Sequence, residues 1–498
     1  MRNATSYSLA ILSLLTTVGC SSADSTVSES GSQKASLGAA IAECDIIEQL
    51  EAQPEITLVQ ELTQDPTKPG YVEGTRKFLV KIRQLVDHEN SGGPTFEQRF
   101  FLWHRSNMTP MVLYSGGYGL NWGDRASEVT PIVTGNQISV EYRYFGESLP
   151  VPTDYRYLTQ KQSADDYHHL TTVLKRIYTG KWISTGRSKG GQTSIHYRAY
   201  YPDDVIATVP MVAANVQTEL TTNRFPEWLR AVGQRFPACH QRTTAWFREV
   251  LKRRDMIGQR MAVHPRYTYN QISIQRAIEY SIKNWAYEIY IADNPAVDCP
   301  TFPDSSISDD ELWKYVDEIG LTYAHSDEAI AAYDIKPYAY QLCSELGHYS
   351  VDEEPLRDLL RYPGEYSWCE FVPPGSNPVY DPTTTRQAIH WMKSEGTRMF
   401  FVYGGTDPFS ATWVRYPGVE DAHVKWANDG PVTGHRAGIF ALNAADRQLA
   451  ANRLTAWTGS SAPLSADAWS GSPFAASDAL EPPMPGAVTR RAPRASMP

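Results

Sequence analysis

Cysteine is scarce in this chain. Six of its 498 residues are cysteine (Cys20, Cys44, Cys239, Cys299, Cys343 and Cys369), and none sits in a Cys-x-x-Cys pair or beside a histidine cluster. A structural zinc site therefore has no pattern to rest on, and no metal is expected. Positive charge is short as well: 46 Lys plus Arg against 56 Asp plus Glu, a formal net charge of −10. No long basic run is present to follow a phosphate backbone, so nucleic acid is not an expected partner. Beyond residue 19 no apolar stretch reaches the roughly 18 residues that a spanning helix needs. There is no internal repeat and no Gly-x-Gly-x-x-Gly loop, so a dinucleotide is not expected, nor any other cofactor. Collagen-like, coiled-coil, disordered and multi-span membrane classes are excluded on these grounds. What the chain does have is 42% hydrophobic residues and 13 Trp, 29 Tyr and 15 Phe. That is enough for a sizeable core in two or three domains, and it fits an enzyme.

The N-terminus suggests where it works. Arg2 precedes an apolar run over 7–18, then Gly19 and Cys20. One positive charge before a short apolar segment is the layout of an export signal, here residues 1–20. Cys20 after Gly19 is similar to a bacterial lipobox, in which the cysteine carries the lipid; Thr17 stands where that pattern has Leu. Two readings stay open: a lipid-anchored envelope protein, touching membrane only through Cys20, or a secreted one. Either permits disulfides, and if Cys20 carries lipid the five other cysteines form at most two. Residues 21–40, rich in Ser, Ala and Gly, read as a flexible linker, and 459–498, dominated by Ala, Ser and Pro, as a disordered tail.

Between these ends, strand-like runs occur at 56–62, 95–104, 111–114, 138–145, 182–185 and 205–212. From about 217 the pattern turns helical and aromatic, with apolar spacings of three and four over 243–254, 272–290 and 309–320. Strand patterns return at 398–403 and 423–426, and an Ala/Leu-rich helix closes the fold at 442–457. The expected architecture is α/β: a doubly wound, mostly parallel sheet built from 41–216 and 397–458, carrying a helical cap inserted at 217–396.

The chemistry-bearing stretch follows the run at 182–185. Gly186-x-Ser188-x-Gly190 lies between that strand and a helix-like segment over 191–201. This is the context of a nucleophile elbow, where small residues two before and two after the serine let a tight turn pass its neighbours. A merely structural turn is the competing reading. Upstream, the strand at 111–114 ends in Ser115-Gly116-Gly117-Tyr118-Gly119. A loop there can supply one oxyanion-hole amide, assigned to Gly117, with the second from Lys189 after the serine; a plain glycine turn is the alternative. In this fold the acid and the histidine follow the serine in sequence. Asp407 stands in Gly404-Gly405-Thr406-Asp407-Pro408 at a strand end, and His435 in the glycine-flanked loop of Gly434 and Gly438. His423 lies inside a strand-like run and Asp429 has no strand before it, while His196 falls two helical turns after the serine, where a core role suits it. In this scheme Ser188 attacks a carbonyl carbon, His435 relays the proton and Asp407 fixes the imidazole.

These motifs resemble serine-peptidase family 37, the bacterial secreted tripeptidyl aminopeptidases, which are α/β hydrolases with a helical cap. The chain is also distantly similar to the lysosomal prolyl carboxypeptidase and dipeptidyl peptidase family. The resemblance rests on Gln84 to His88, Thr95 to Phe100, Tyr114 to Gly119, Glu141 to Ser148, Tyr157 to Asp165 and Gly186 to Gly190, then Gly405 to Pro408 and Gly434-His435. It implies the triad Ser188, Asp407 and His435, peptide substrates, and release of N-terminal tripeptides. Tyr142 departs from the distant relatives, which carry His there, so their specificity does not transfer. An aminopeptidase must bind an ammonium group. Glu141 and Glu147 are the candidates, against a structural role in pairing with Arg143. Two other classes remain: an esterase or depolymerase with the same triad, and a non-catalytic envelope binding protein of the same fold.

Overall fold

The computed structural model describes residues 45–460 except 68–70, 121–123, 215–218, 220, 293–298, 300, 414–418 and 431. The export signal with Cys20, the linker, Cys44 and the tail from 461 lie outside the described residues.

Nine strands form one sheet: β1 (Ile56–Leu62), β2 (Arg76–Leu85), β3 (Thr95–His104), β4 (Met111–Ser115), β5 (Asn136–Val140), β6 (Trp182–Arg187), β7 (Ala207–Met211), β8 (Met399–Gly404) and β9 (Ala422–Ala427). Their order is β1-β2-β3-β5-β4-β6-β7-β8-β9. The first three strands and the β3–β5 pair are antiparallel, and every pairing from β5 to β9 is parallel. Alternate side chains go to opposite faces. Met111 and Leu113 pack under the helix Gln160–Leu174, α1, with Leu170 and Val173. Val112, Ile183, Val209, Phe400 and Val402 face the opposite layer, with Leu454 and Trp457 of the last helix. This is the α/β-hydrolase architecture.

Two expectations shift at its edges. β2 went unseen because its sequence interleaves Lys77, Lys81, Arg76, Arg83 and Gln84 with its apolar residues, so no continuous apolar run exists. Half its residues face a neighbouring layer and half do not, which an antiparallel strand permits. The strand expected over 138–145 ends at Val140. Beyond it the chain turns, with Tyr144 at φ 70°.

After β6 comes the helix Lys189–Tyr200, α2. The segment after β7 is helical: α3 (Arg224–Arg235), α4 (Pro237–Lys252), α5 (Arg254–Met261), α6 (Ile274–Ala292) and α7 (Asp309–Glu318), the last opened by a capping box from Ser308 and Glu311. These elements share a core rich in rings, including Trp246, Phe247, Tyr280, Tyr338 and Trp368. Disulfides Cys239–Cys299 and Cys343–Cys369 cross-link it. The helix Thr383–Ser394, α8, packs instead on α2 and the sheet, through Ala388 and Met392 against Ile195, Met399 and Phe401. The chain closes with α9 (Ala444–Thr458).

Candidate active site

Because β4, β6, β7, β8 and β9 run parallel, their carboxyl ends share one edge of the sheet. The loops that follow β4, β6, β8 and β9 carry Gly117, Ser188, Asp407 and His435 respectively. Ser188 sits between β6 and α2 at φ 56° and ψ −127°, a backbone region that a non-glycine residue rarely occupies. Its amide is fixed by the Met211 carbonyl at 3.0 Å. The turn tolerates no Cβ at its flanks: one on Gly190 would overlap the Ser115 carbonyl oxygen, and one on Gly186 the Gly190 carbonyl. Ser115 secures the same crossing from below, its hydroxyl donating to the Gly190 carbonyl at 2.7 Å.

Asp407 and His435 meet. His435 Nδ1 lies 3.0 Å from Asp407 Oδ1, with both side chains enclosed. The carboxylate is held by further donors: Phe409 N to Oδ1 at 3.0 Å and the Ser410 hydroxyl to Oδ2 at 2.7 Å. Ser410 escaped sequence reading, although Asp407-Pro408-Phe409-Ser410 is the pattern of an aspartate capping a short 3₁₀ turn, here Pro408–Thr412. The Phe409 ring lies 4.7 Å from the imidazole, centre to centre. The competitors go elsewhere. His423 pairs with Asp421 at 3.1 Å on the edge strand, and Asp429 borders a surface groove outside β9. His196 is buried in α2 with Nδ1 on the Gln192 carbonyl at 2.9 Å; burial pushes its pKa down to about 4.

A tie between the serine turn and the histidine loop was also invisible in the sequence. Arg187 Nη1 donates to the Ala437 carbonyl at 2.7 Å and Nη2 to Glu128 Oε1 at 2.9 Å. The other oxygen of Glu128 accepts from Phe440 N at 2.9 Å. Burial pushes the Glu128 carboxyl up, opposed by the Arg187 charge and by the Phe440 and Ile439 amides. On the opposite side, Gly117 has φ 76° and a Cβ there would press on the Lys189–Gly190 peptide. The two assigned oxyanion-hole residues are thus in contact.

The sequence model of the PS-10 peptidase S37 family matches residues 40–481. The chain belongs to that family. Prolyl tri/tetrapeptidyl aminopeptidase of Streptomyces mobaraensis is 32% identical over 393 residues, covering 78% of this chain and 81% of the relative. Lysosomal Pro-X carboxypeptidase of Bos taurus is 28% identical over 161 residues, 27% of this chain and 31% of that one. Among solved structures, proline iminopeptidase of Mycobacterium smegmatis aligns over 76% of this chain and 98% of its own, with 13% identity and a TM-score of 0.37.

This S37 peptidase is a serine peptidase, and its two candidate ammonium binders have unequal positions. Glu141 is fully enclosed, paired through both oxygens with Arg99 at 2.8 Å each. It also accepts from the amides of Leu120, Glu147 and Ser148 and from the Ser148 hydroxyl. As placed, the carboxylate knits together the turn after β5 and borders a small cavity with Arg99, Tyr118 and Asp334. Its partner is Arg99, not Arg143, which is buried on Asp166 at 2.7 Å. Glu147 is exposed and pairs with Arg99 at 2.6 Å.

From His435 of the S37 peptidase a chain of ring contacts leads into the buried core of the helical segment. From His435 the contacts run through Phe409 to Tyr349 at 5.6 Å, Tyr349 to Trp368 at 6.4 Å, Trp368 to Tyr338 at 5.9 Å, and Tyr338 to Tyr118 at 5.5 Å. No sequence motif marked Tyr338, Tyr349 or Trp368. They stand on a short helix, a two-residue strand and a 3₁₀ turn, and only the fold sets them between Phe409 and Tyr118.

Proposed function

We propose that this S37 peptidase removes short peptides, tripeptides foremost, from the N-termini of peptide substrates. Ser188 is the nucleophile, His435 the general base and acid, and Asp407 the group that holds the imidazole and stabilises its cation. The amides of Gly117 and Lys189 stabilise the tetrahedral oxyanion, each worth about 3 kcal/mol. The reading is carried by the Asp407–His435 hydrogen bond of 3.0 Å at the sheet edge from which Ser188 emerges. The tie from Arg187 to the loop of His435 supports it. An acyl-enzyme on Ser188 releases the shortened peptide, and a water activated by His435 then releases the acyl fragment.

The Phe409 ring, 4.7 Å from the imidazole of His435, suits a compact apolar side chain at the cleaved residue. The relative at 32% identity is named for prolyl substrates, and proline is the residue we propose there. Export, with lipid on Cys20, belongs to the same proposal; the disulfides Cys239–Cys299 and Cys343–Cys369 fit an oxidising compartment.

The test is covalent labelling by a peptidyl phosphonate followed by peptide mapping. Wild-type protein labels on Ser188 and Ser188→Ala does not label. Loss of a triad nucleophile costs about 10⁶ in kcat; a Ser188→Ala protein keeping a tenth of wild-type turnover overturns the assignment.

A further inference from the structure

The Lys189 side chain is the most unusual buried group in the site. Its backbone follows the elbow serine and it opens α2, where a cation opposes the helix dipole. It is 3% exposed. No described carboxylate pairs with it, and burial pushes its amine well below the ordinary lysine range. A buried amine without a counter-ion is costly to the fold, and a methionine would fill the same space at less cost.

What surrounds the amine is specific. Its Nζ lies 3.4 Å from the centre of the Tyr142 ring, 4.9 Å from that of Phe145 and 5.2 Å from that of Tyr118. Ring faces accept an N–H from the amine in either protonation state, which offsets part of the cost of burial. The Tyr142 ring is itself pinned, its hydroxyl accepting from Gln341 Nε2 at 3.0 Å. From this cage Lys189 Nζ donates to one acceptor, the Gly117 carbonyl oxygen.

We propose that the Lys189 side chain is a positioning residue for the oxyanion hole. Held by the three rings, its amine clamps the Gly117 carbonyl, and the loop 116–118 is thereby kept in the orientation that aims its amide at the reacting carbonyl. Gly117 at φ 76° can rotate more freely than any other residue, so a glycine loop needs an external hold to stay oriented. The clamp is drawn from the residue whose own amide is the second donor, so the two donors are set relative to each other. When the oxyanion forms, a preoriented pair lowers its energy without reorganisation. The role concerns the transition state and not the Michaelis complex, and it rests on the assignment of Ser188 as nucleophile.

The decisive experiment compares wild type with Lys189→Met, which preserves volume and removes the donor. The expected result is a fall in kcat of about 10²-fold, the scale of one lost oxyanion donor, with KM within about twofold. Affinity for a peptidyl boronic acid, which is bound as a tetrahedral adduct, falls by the same factor, while affinity for the tripeptide product is unchanged. A merely structural lysine would lower the unfolding temperature and leave this split unmoved. Tyr142→Leu, which keeps the amine and opens its cage, is expected to shift kcat and boronate affinity in the same direction. It decides the matter if Lys189→Met does not fold. Wild-type boronate affinity in a folded Lys189→Met, or failing that in Tyr142→Leu, overturns the proposal. A Ser188→Ala protein that still labels overturns the triad instead, so the two failures are distinguishable.

Discussion

Arg187 donates to the carbonyl of Ala437 at 2.7 Å, joining the residue before the elbow serine to the loop two residues past His435. Two segments separated by some 250 residues of chain are thereby held against each other beside the Asp407–His435 pair. Glu128 completes the tie through the other guanidinium nitrogen and the Phe440 amide.

Breaking that tie is expected to cost both stability and rate. Arg187→Met leaves Glu128 buried without its cation, and such losses run to about 3–5 kcal/mol. Chemical denaturation should show a lower midpoint at unchanged slope, with kcat reduced and KM for a tripeptidyl anilide little altered. Restoring the pair's neutrality with Arg187→Met/Glu128→Gln should recover part of the stability but not the rate.

The carboxylate of Asp407 gives a graded series. Ser410→Ala removes one neutral donor to it, and a hydrogen bond to a charged group is worth about 1.5–3 kcal/mol. A fall in kcat of roughly 10-fold follows if a part of that acts on the imidazole. Asp407→Asn, which favours the wrong tautomer, should lose about 10⁴-fold. Steady-state kinetics with one peptide substrate checks both. Equal effects of the two changes would contradict the arrangement.

Glu345 sets a pH dependence of stability. Its carboxyl sits near the N-terminus of α1, accepting from Gln160 N at 2.7 Å, and burial pushes its pKa up to about 7 from an ordinary 4.5. The folded protein therefore binds a proton that the unfolded chain has released between these values. The stabilising contribution is fully present below pH 4.5 and is lost as pH rises through 7. The change amounts to about 3 kcal/mol across that interval. Unfolding free energies measured from pH 5 to pH 8 should fall more steeply in wild type than in Glu345→Gln, which should be the more stable of the two at pH 8.

Glu141→Gln separates a structural carboxylate from a substrate-binding one. Its enclosure by Arg99 and the 147–148 amides predicts a loss of stability. Because both oxygens of Glu141 are already engaged by Arg99 and by neighbouring amides, KM for free-amine peptides should not rise more than for their N-acetylated forms. A selective rise for the free amines would show that the loop opens.

The N-terminal reading is checked by intact mass of protein made in a bacterial host. A diacylated or triacylated Cys20 is the expected product. An unmodified N-terminus beyond residue 20 would leave secretion without an anchor.

Much of the site was written locally. The elbow needs Gly186, Ser188 and Gly190 at fixed spacing because three backbones cross there, and that requirement leaves a mark within five residues. Asp407 and His435 were marked by strand ends and by flanking glycines. Partners reached across the sheet left no such mark: Arg99 for Glu141 and Glu128 for Arg187 were chosen by register and loop path. β2 was missed for a related reason, since a strand with one side toward charge carries no continuous apolar run.

The sequence by itself determined the mostly parallel sheet and the family to which the chain belongs, and it marked Ser188, Asp407 and His435 as candidates, because each is specified by short-range spacing or by residues that turns demand. The tertiary structure alone decided the ring contacts from Phe409 to Tyr118, the cage around Lys189 and the pairing of Glu141 with Arg99. Those depend on which side chains meet when segments distant in the chain pack, and packing contacts are selected by shape and burial, which no linear spacing encodes.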